Sequence, residues 1–235
     1  MTALPTRRDE AWRYSDHAAI AKLWPVGPAI VVALGSGDSQ TRTLLADAGG
    51  IHDYRVTLAA DARLDFQMIS IGRGYCRIAL DVTLEEGAHF DLGAVQIGSG
   101  DAVLEIVTTV RHVAPNASSR QTVRSVLDDR ATGTYLGKVA VARDAQKTDA
   151  VQSVKALLLK RSATANLKPE LEIYADDVKC AHGATVGELS KEAMFYLQSR
   201  GIAPVEAQAL LTRAFIADAI ADAALLESAL ARLKA

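Results

Sequence analysis

Two stretches in the first half of the chain carry the same alternation of apolar and polar positions. Residues 56–74 read VTLAADARLDFQMISIGRG and residues 82–100 read VTLEEGAHFDLGAVQIGSG, an offset of 26 residues with eight of 19 positions identical. Composition alone gives about one or two identities over such a span. Several of the remaining pairs exchange one apolar side chain for another: Leu64 with Phe90, Phe66 with Leu92, Ile69 with Val95. A third copy begins at the same interval, aligning Thr57, Thr83 and Thr109, and also Leu58, Leu84 and Val110, before it drifts.

Each copy is built of short β-type runs, such as residues 76–84, punctuated by glycines. A period in the twenties made of strands and glycine turns predicts the coil of a solenoid. The L-x-x-L-x-L-x-x-N pattern of leucine-rich repeats is absent, and a parallel β-helix fits instead. Coils would then stack about 4.8 Å apart, with Leu58/Leu84, Ala62/Ala88 and Ile71/Ile97 as buried columns. Asp65/Asp91 must face solvent, because two carboxylates about 5 Å apart repel by roughly 1 kcal/mol in water and far more in a dry interior. The runs at 134–142, 150–159 and 170–182 continue the texture without a strict period. Residues 51–187 thus predict roughly five coils.

The ends read differently. Residues 1–28 form an N-terminal segment, with a short helix expected over 16–23 and Pro25 and Pro28 leading into the first strand, AIVVAL. The β-helix core is assigned to 29–187 and a helical region to 188–235. In that region one helix stops at Gly201, and a second starts at Pro204 and runs on to the last leucine. Its apolar coverage is broad, with Leu210, Ala214, Ala217 and Ala221 at helical spacing. The tail is therefore expected to dock on something besides its own solenoid end.

Lys plus Arg total 26 against 28 Asp plus Glu, a net charge of -2. That balance gives no electrostatic reason to bind nucleic acid or an acidic membrane. No apolar run is long enough to span a bilayer, and the N-terminal residues lack a signal-peptide core, so a cytoplasmic protein is expected. Two cysteines, Cys76 and Cys180, make neither a disulfide framework nor a CxxC zinc site.

Longer-range texture points to a family. The stretch AQKTDAVQSVKALLL, then KPELEIYADDVKCAHGATVGEL and FYLQSRGI, resembles the signature of the SufB/SufD family. Its Cys-Ala-His-Gly form points to the SufD branch. TRRDEAWRY, HVAPNASSRQTVRSVL and TYLGKVAV resemble further family segments, so the likeness covers nearly the whole chain and is densest over 111–217. The resemblance implies a right-handed parallel β-helix flanked by helices. It implies a non-catalytic scaffold or accessory subunit of a SUF-type iron–sulfur cluster assembly complex. Its partners would be a SufB-like paralogue and a SufC-type ATPase, the latter received by the C-terminal helices, with Leu210, Leu211, Ala214 and Phe215 as candidate docking residues. No cofactor is expected to be held tightly by this chain alone; iron or a nascent cluster would pass through the complex. Longer relatives carry more helical material before the solenoid, where this chain is compact.

Cys180 and His182 are the candidate metal ligands. Residues two apart on a strand project to one face, which would gather Asp176, Val178, Cys180 and His182 on one side. Thiolate and imidazole suit iron or zinc. Such sites take about four ligands, so a neighbouring subunit must complete this one, in keeping with the interface site that the resemblance implies. Cys76, in an apolar strand, reads as core. Glu85, Glu86 and His89 read as a solvated corner, and LGSGDSQ lacks the third glycine of a dinucleotide loop. His17, His52 and His112 show no partners in the sequence. Trp12 and Tyr14 are expected to anchor the N-terminus to the solenoid. Two other classes remain: a carbohydrate-active β-helix enzyme, which would need a carboxylate or basic cluster on one face, and a homodimer joined through an open last coil without a metal role.

Overall fold

The computed structural model describes residues 3–233. Twelve strands alternate between two all-parallel six-stranded sheets, one ordered β1-β3-β5-β7-β9-β11 and the other β12-β10-β8-β6-β4-β2. The first contains β1 (Ile30–Leu34), β3 (Gly50–Leu58), β5 (Tyr75–Leu84), β7 (Val103–His112), β9 (Thr132–Val141) and β11 (Thr164–Ile173). The second contains β2 (Ser39–Ala46), β4 (Arg63–Gly72), β6 (His89–Gly98), β8 (Ser118–Leu127), β10 (Asp149–Leu158) and β12 (Lys179–Gly187). Consecutive strands never share a sheet, so each pair makes one coil and the chain winds as a β-solenoid. Among the described residues no helix is long and apolar enough to cross a membrane.

The registers explain why the repeat is legible only once. Tyr54 pairs with Leu80 and Leu64 with Phe90, both at the interval of the sequence repeat. The coil before is shorter, since Ile30 pairs with Tyr54. Along the first sheet the later steps lengthen, with Ile78 on Ile106, Ile106 on Tyr135 and Tyr135 on Leu167. The columns Leu58/Leu84 and Ile71/Ile97 stack as expected. The third copy does not, because Thr109 lies on Asp81 and Val110 on Val82. A longer corner between β6 and β7 shifts that register. Asp65 and Asp91 stack on the outer face and stay half-exposed.

One corner is held by backbone conformation. Gly37, Asp61, Gly87, Asn116 and Lys147, one per coil, have φ between +59° and +75°. The N–H of each bonds a carbonyl of the next coil, at Ala60, Glu86, Pro115, Gln146 and Asp177. Gly, Asp and Asn accept this left-handed conformation readily; Lys147 does so at some strain.

The interior is filled by inward-facing residues of the strands from β1 to β10, including Leu64, Phe66, Met68, Ile78, Leu80, Phe90 and Ile106, all 2% exposed or less. Ile71 and Ile97 point outward instead. With Ile69, Val95, Val126 and Leu157 they form a second apolar cluster, covered by Ile216, Ala219, Ile220, Leu225 and Ala229 of the tail.

That tail corrects one expectation. The helix expected from Pro204 onward is two, α3 (Pro204–Ala217) and α4 (Ala223–Leu233), preceded by α2 (Lys191–Ser199). Residues 218–222 leave the helix because the sheet holds them. Arg124, 4% exposed, pairs with Asp218, and the Asp222 N–H donates to Gln67 Oε1 at 2.8 Å. The Asp222 carboxylate then accepts from Leu225 N–H and caps α4. The inner face of the tail docks on the flank of its own solenoid. At the other end α1 (His17–Leu23) is capped by Asp16, which accepts from Ala18 and Ala19. Residues 10–24 lie over the first sheet as a strap. Trp12 stacks 3.7 Å from the Arg77 guanidinium, and Arg77 pairs with Glu105 at 2.8 Å with both buried. Ser15 Oγ donates to that same carboxylate at 2.8 Å. Trp12 is thus an anchor, whereas Tyr14 is 40% exposed and is not.

Candidate functional site at the open end

The solenoid ends on β11 and β12, each at the edge of its sheet with no further strand stacked on it among the described residues. The unpaired edge of β12 is where Cys180 and His182 lie. Register places Cys180 above Ala150 and His182 above Gln152. Ala150 and Gln152 are buried, 0% and 1% exposed, which fixes the inner face of the column. Both candidate ligands therefore project toward the open mouth of the last coil, as strand alternation requires.

The expected shared face does not extend to Asp176. The run 170–182 breaks after Ile173, and β12 starts only at Lys179. Asp176 is exposed in the connecting turn, while Val178 packs into a small apolar cluster with Val139, Val141, Ala145 and Ala150. Two donors remain.

Those two differ in environment. Cys180 is half-buried against the same cluster. Burial pushes its thiol pKa up, a hydrogen bond with the Ala150 backbone opposes the rise, and the Asp149 carboxylate adds to it. The thiol is therefore protonated at neutral pH and becomes a ligand only by giving up its proton to an arriving metal. His182 is exposed, and its ring has no hydrogen-bonding partner among the described residues. Its nitrogens are open to a metal. Among the described residues no cluster of three or more His, Cys, Asp or Glu stands close enough to hold a metal ion. What the chain presents is one nitrogen and one sulfur donor at an open edge, which suits iron or zinc as cargo but does not enclose it.

The other candidates resolve into structural roles. His89 Nε2 meets Asp91 at 2.6 Å and its Nδ1 meets Ser118 Oγ at 2.6 Å, while Glu85 and Glu86 are exposed. His17 and His52 contact the carbonyls of Trp12 and Gly49, each at 3.0 Å. Cys76 is 2% exposed within the core. In the tail, Leu210 and Ala214 face outward, Leu211 is half-buried, and Phe215 packs against the second cluster. Phe195, Tyr196 and Val205 are 75%, 57% and 82% exposed and extend the apolar surface of α2 and α3. The sequence marks them only as part of a helical run. It gives no sign of a polar network inside the upper coils, where Gln121 and Gln152 follow Phe66 and Leu92 in one column.

Fold and site together define a class: a β-solenoid protein with a clasped helical tail and an unfinished donor pair at its open end. Residues 41–215 match the model of the SUF system FeS cluster assembly SufBD core domain, and the chain belongs to that family. The relatives it resembles include the iron–sulfur cluster assembly protein SufD of Escherichia coli, 34% identical over 180 residues, covering 75% of this chain and 43% of that protein. The SufBD family protein slr0076 of Synechocystis is 36% identical over 63% of this chain and 33% of its own length. The chloroplastic protein ABCI7 of Arabidopsis thaliana is 41% identical over 45% of this chain and 22% of its own length. The chain thus spans less than half the length of these relatives. The SufD matches place it with that branch of the family.

Proposed function

We propose that this chain is a non-catalytic accessory subunit of an iron–sulfur cluster assembly complex, paired through its open end with a SufB-like paralogue. The observation that supports this reading is the edge strand β12, which carries Cys180 and His182 toward an uncapped coil. A partner coil stacked there would satisfy the strand edge and supply the missing ligands in one step. His182 is the resident donor, and Cys180 joins when the metal displaces its proton. The tail takes a SufC-type ATPase on the outward apolar surface of α2 and α3, where Leu210, Ala214, Phe195 and Val205 are exposed. The inner faces of α3 and α4 are spent on the solenoid, so the stripe left outside is the one free for a partner. This chain has no phosphate-binding loop in its sequence, so ATP hydrolysis falls to that partner.

Co-expression with a SufB-like and a SufC-type protein tests the proposal. A stable ternary complex is expected. His182→Ala should leave complex yield unchanged while abolishing cluster formation on it, and Leu210→Asp should release the ATPase while retaining the paralogue. Normal cluster assembly with His182→Ala would remove the ligand role, and an ATPase retained by Leu210→Asp would move the docking surface elsewhere.

A further inference from the structure

His182 stands at the end of a polar file running down the inside of the upper coils. Register stacks Gln121, Gln152 and His182 in one column. Gln152 Nε2 donates to the Tyr135 hydroxyl at 3.1 Å. That hydroxyl donates to Gln121 Oε1 at 3.1 Å and lies 3.0 Å from Thr108 Oγ1. The four side chains are each 1% exposed or less. With its Nε2 committed to Tyr135, the Gln152 amide is fixed in orientation, and its Oε1 is buried without a donor. Burying a carbonyl without a donor is costly, so the column holds an acceptor that the free chain does not use. Gln121 Nε2 is also unpaired, but both amides engage Tyr135 instead of each other. The next residue outward from Gln152 is His182, with its ring unpartnered.

We propose that Gln152 is the positioning residue for His182: Gln152 Oε1 accepts the N–H of one imidazole nitrogen and leaves the bare nitrogen to face the shared metal. This rests on the reading of His182 as a ligand given above. A neutral imidazole has one N–H and one lone pair, and the partner of the N–H decides which nitrogen is free to bind. In the free chain the ring is exposed and water competes for its proton. A partner coil closing the mouth excludes that water, and Gln152 is then the acceptor in register. An apolar residue at 152 would fill the column equally well but would leave the ring free to spin and to take either tautomer.

The test uses the full chain co-purified with the SufB-like paralogue, with Zn2+ as probe and affinity read by chelator competition. Gln152→Leu is expected to weaken Zn2+ binding about 10–100-fold, the usual effect of losing such a support. Gln152→Glu, which keeps an acceptor oxygen, restores it. Gln152→Met makes the same test should the leucine variant fail to assemble. His182→Ala separates the two layers of the argument. If it abolishes Zn2+ binding while Gln152→Leu and Gln152→Met bind as tightly as the wild type, the positioning role is overturned and the ligand role stands. If His182→Ala binds Zn2+ normally, the ligand role fails and the positioning role with it.

Discussion

His112 sits at the inner end of β7 with no exposure to solvent, its Nε2 2.9 Å from Ser119 Oγ. Burial pushes its pKa down from 6.5 to about 4, because an imidazolium there would lose its hydration. The unfolded chain takes up that proton first. Stability from this residue is therefore intact above about pH 6.5, falls as pH drops below it, and reaches its floor near pH 4. The expected loss between pH 7.5 and 5 is about 2 kcal/mol. Denaturant midpoints of wild type and His112→Asn at the two pH values check this, with the variant showing the flatter dependence. Other interior residues obey the same rule of fit. A side chain at Gly137 would collide with the Tyr135 ring, so the glycine makes room for the hydroxyl that organises Gln121 and Gln152.

Among the elements, the tail is held by a close approach at one strand. A Cβ at Gly93 would overlap the Ala219 carbonyl oxygen, so the turn between α3 and α4 lies directly on β6. Gly93→Ala is expected to lift that turn at a cost of about 1–3 kcal/mol and to open residues 218–233 to limited proteolysis while the solenoid stays folded. Unchanged proteolysis would mean the turn is not fixed there. The strand-rich solenoid is legible in the sequence because two consecutive coils have equal length and stack side chain on side chain. The later coils are not, since their corner lengths vary and only the registers reveal where each coil begins. The break at 218–222 is hidden for a different reason. Its residues suit a helix locally, and what interrupts them is Arg124, Gln67 and Gly93, which lie far away in sequence. Cys180 and His182 are legible as a pair through strand alternation. The turn that removes Asp176 from their face, and the polar column beneath His182, depend on tertiary placement that local pattern does not carry.

At the scale of the whole molecule both sheets carry a covering segment, while β11 and β12 at the C-terminal end have no further strand stacked on them among the described residues. The strap covers the first sheet around the buried Arg77–Glu105 pair, and the tail covers the second around Ile71, Ile97 and Val126. Ile173, Tyr174 and Val186 remain 38%, 62% and 48% exposed on or beside the last two strands. Apolar side chains beside an unpaired strand edge form a surface that coil stacking would bury. A homodimer through the same end would bury the edge too.

Hydrogen–deuterium exchange of this chain, alone and mixed with a SufB-like paralogue, tests the open-end account most directly. Slowed exchange confined to residues 164–187 on mixing, with the strap and the α3–α4 turn unchanged, is the result expected. Protection of the solenoid flanks with residues 179–187 still exchanging freely would contradict it.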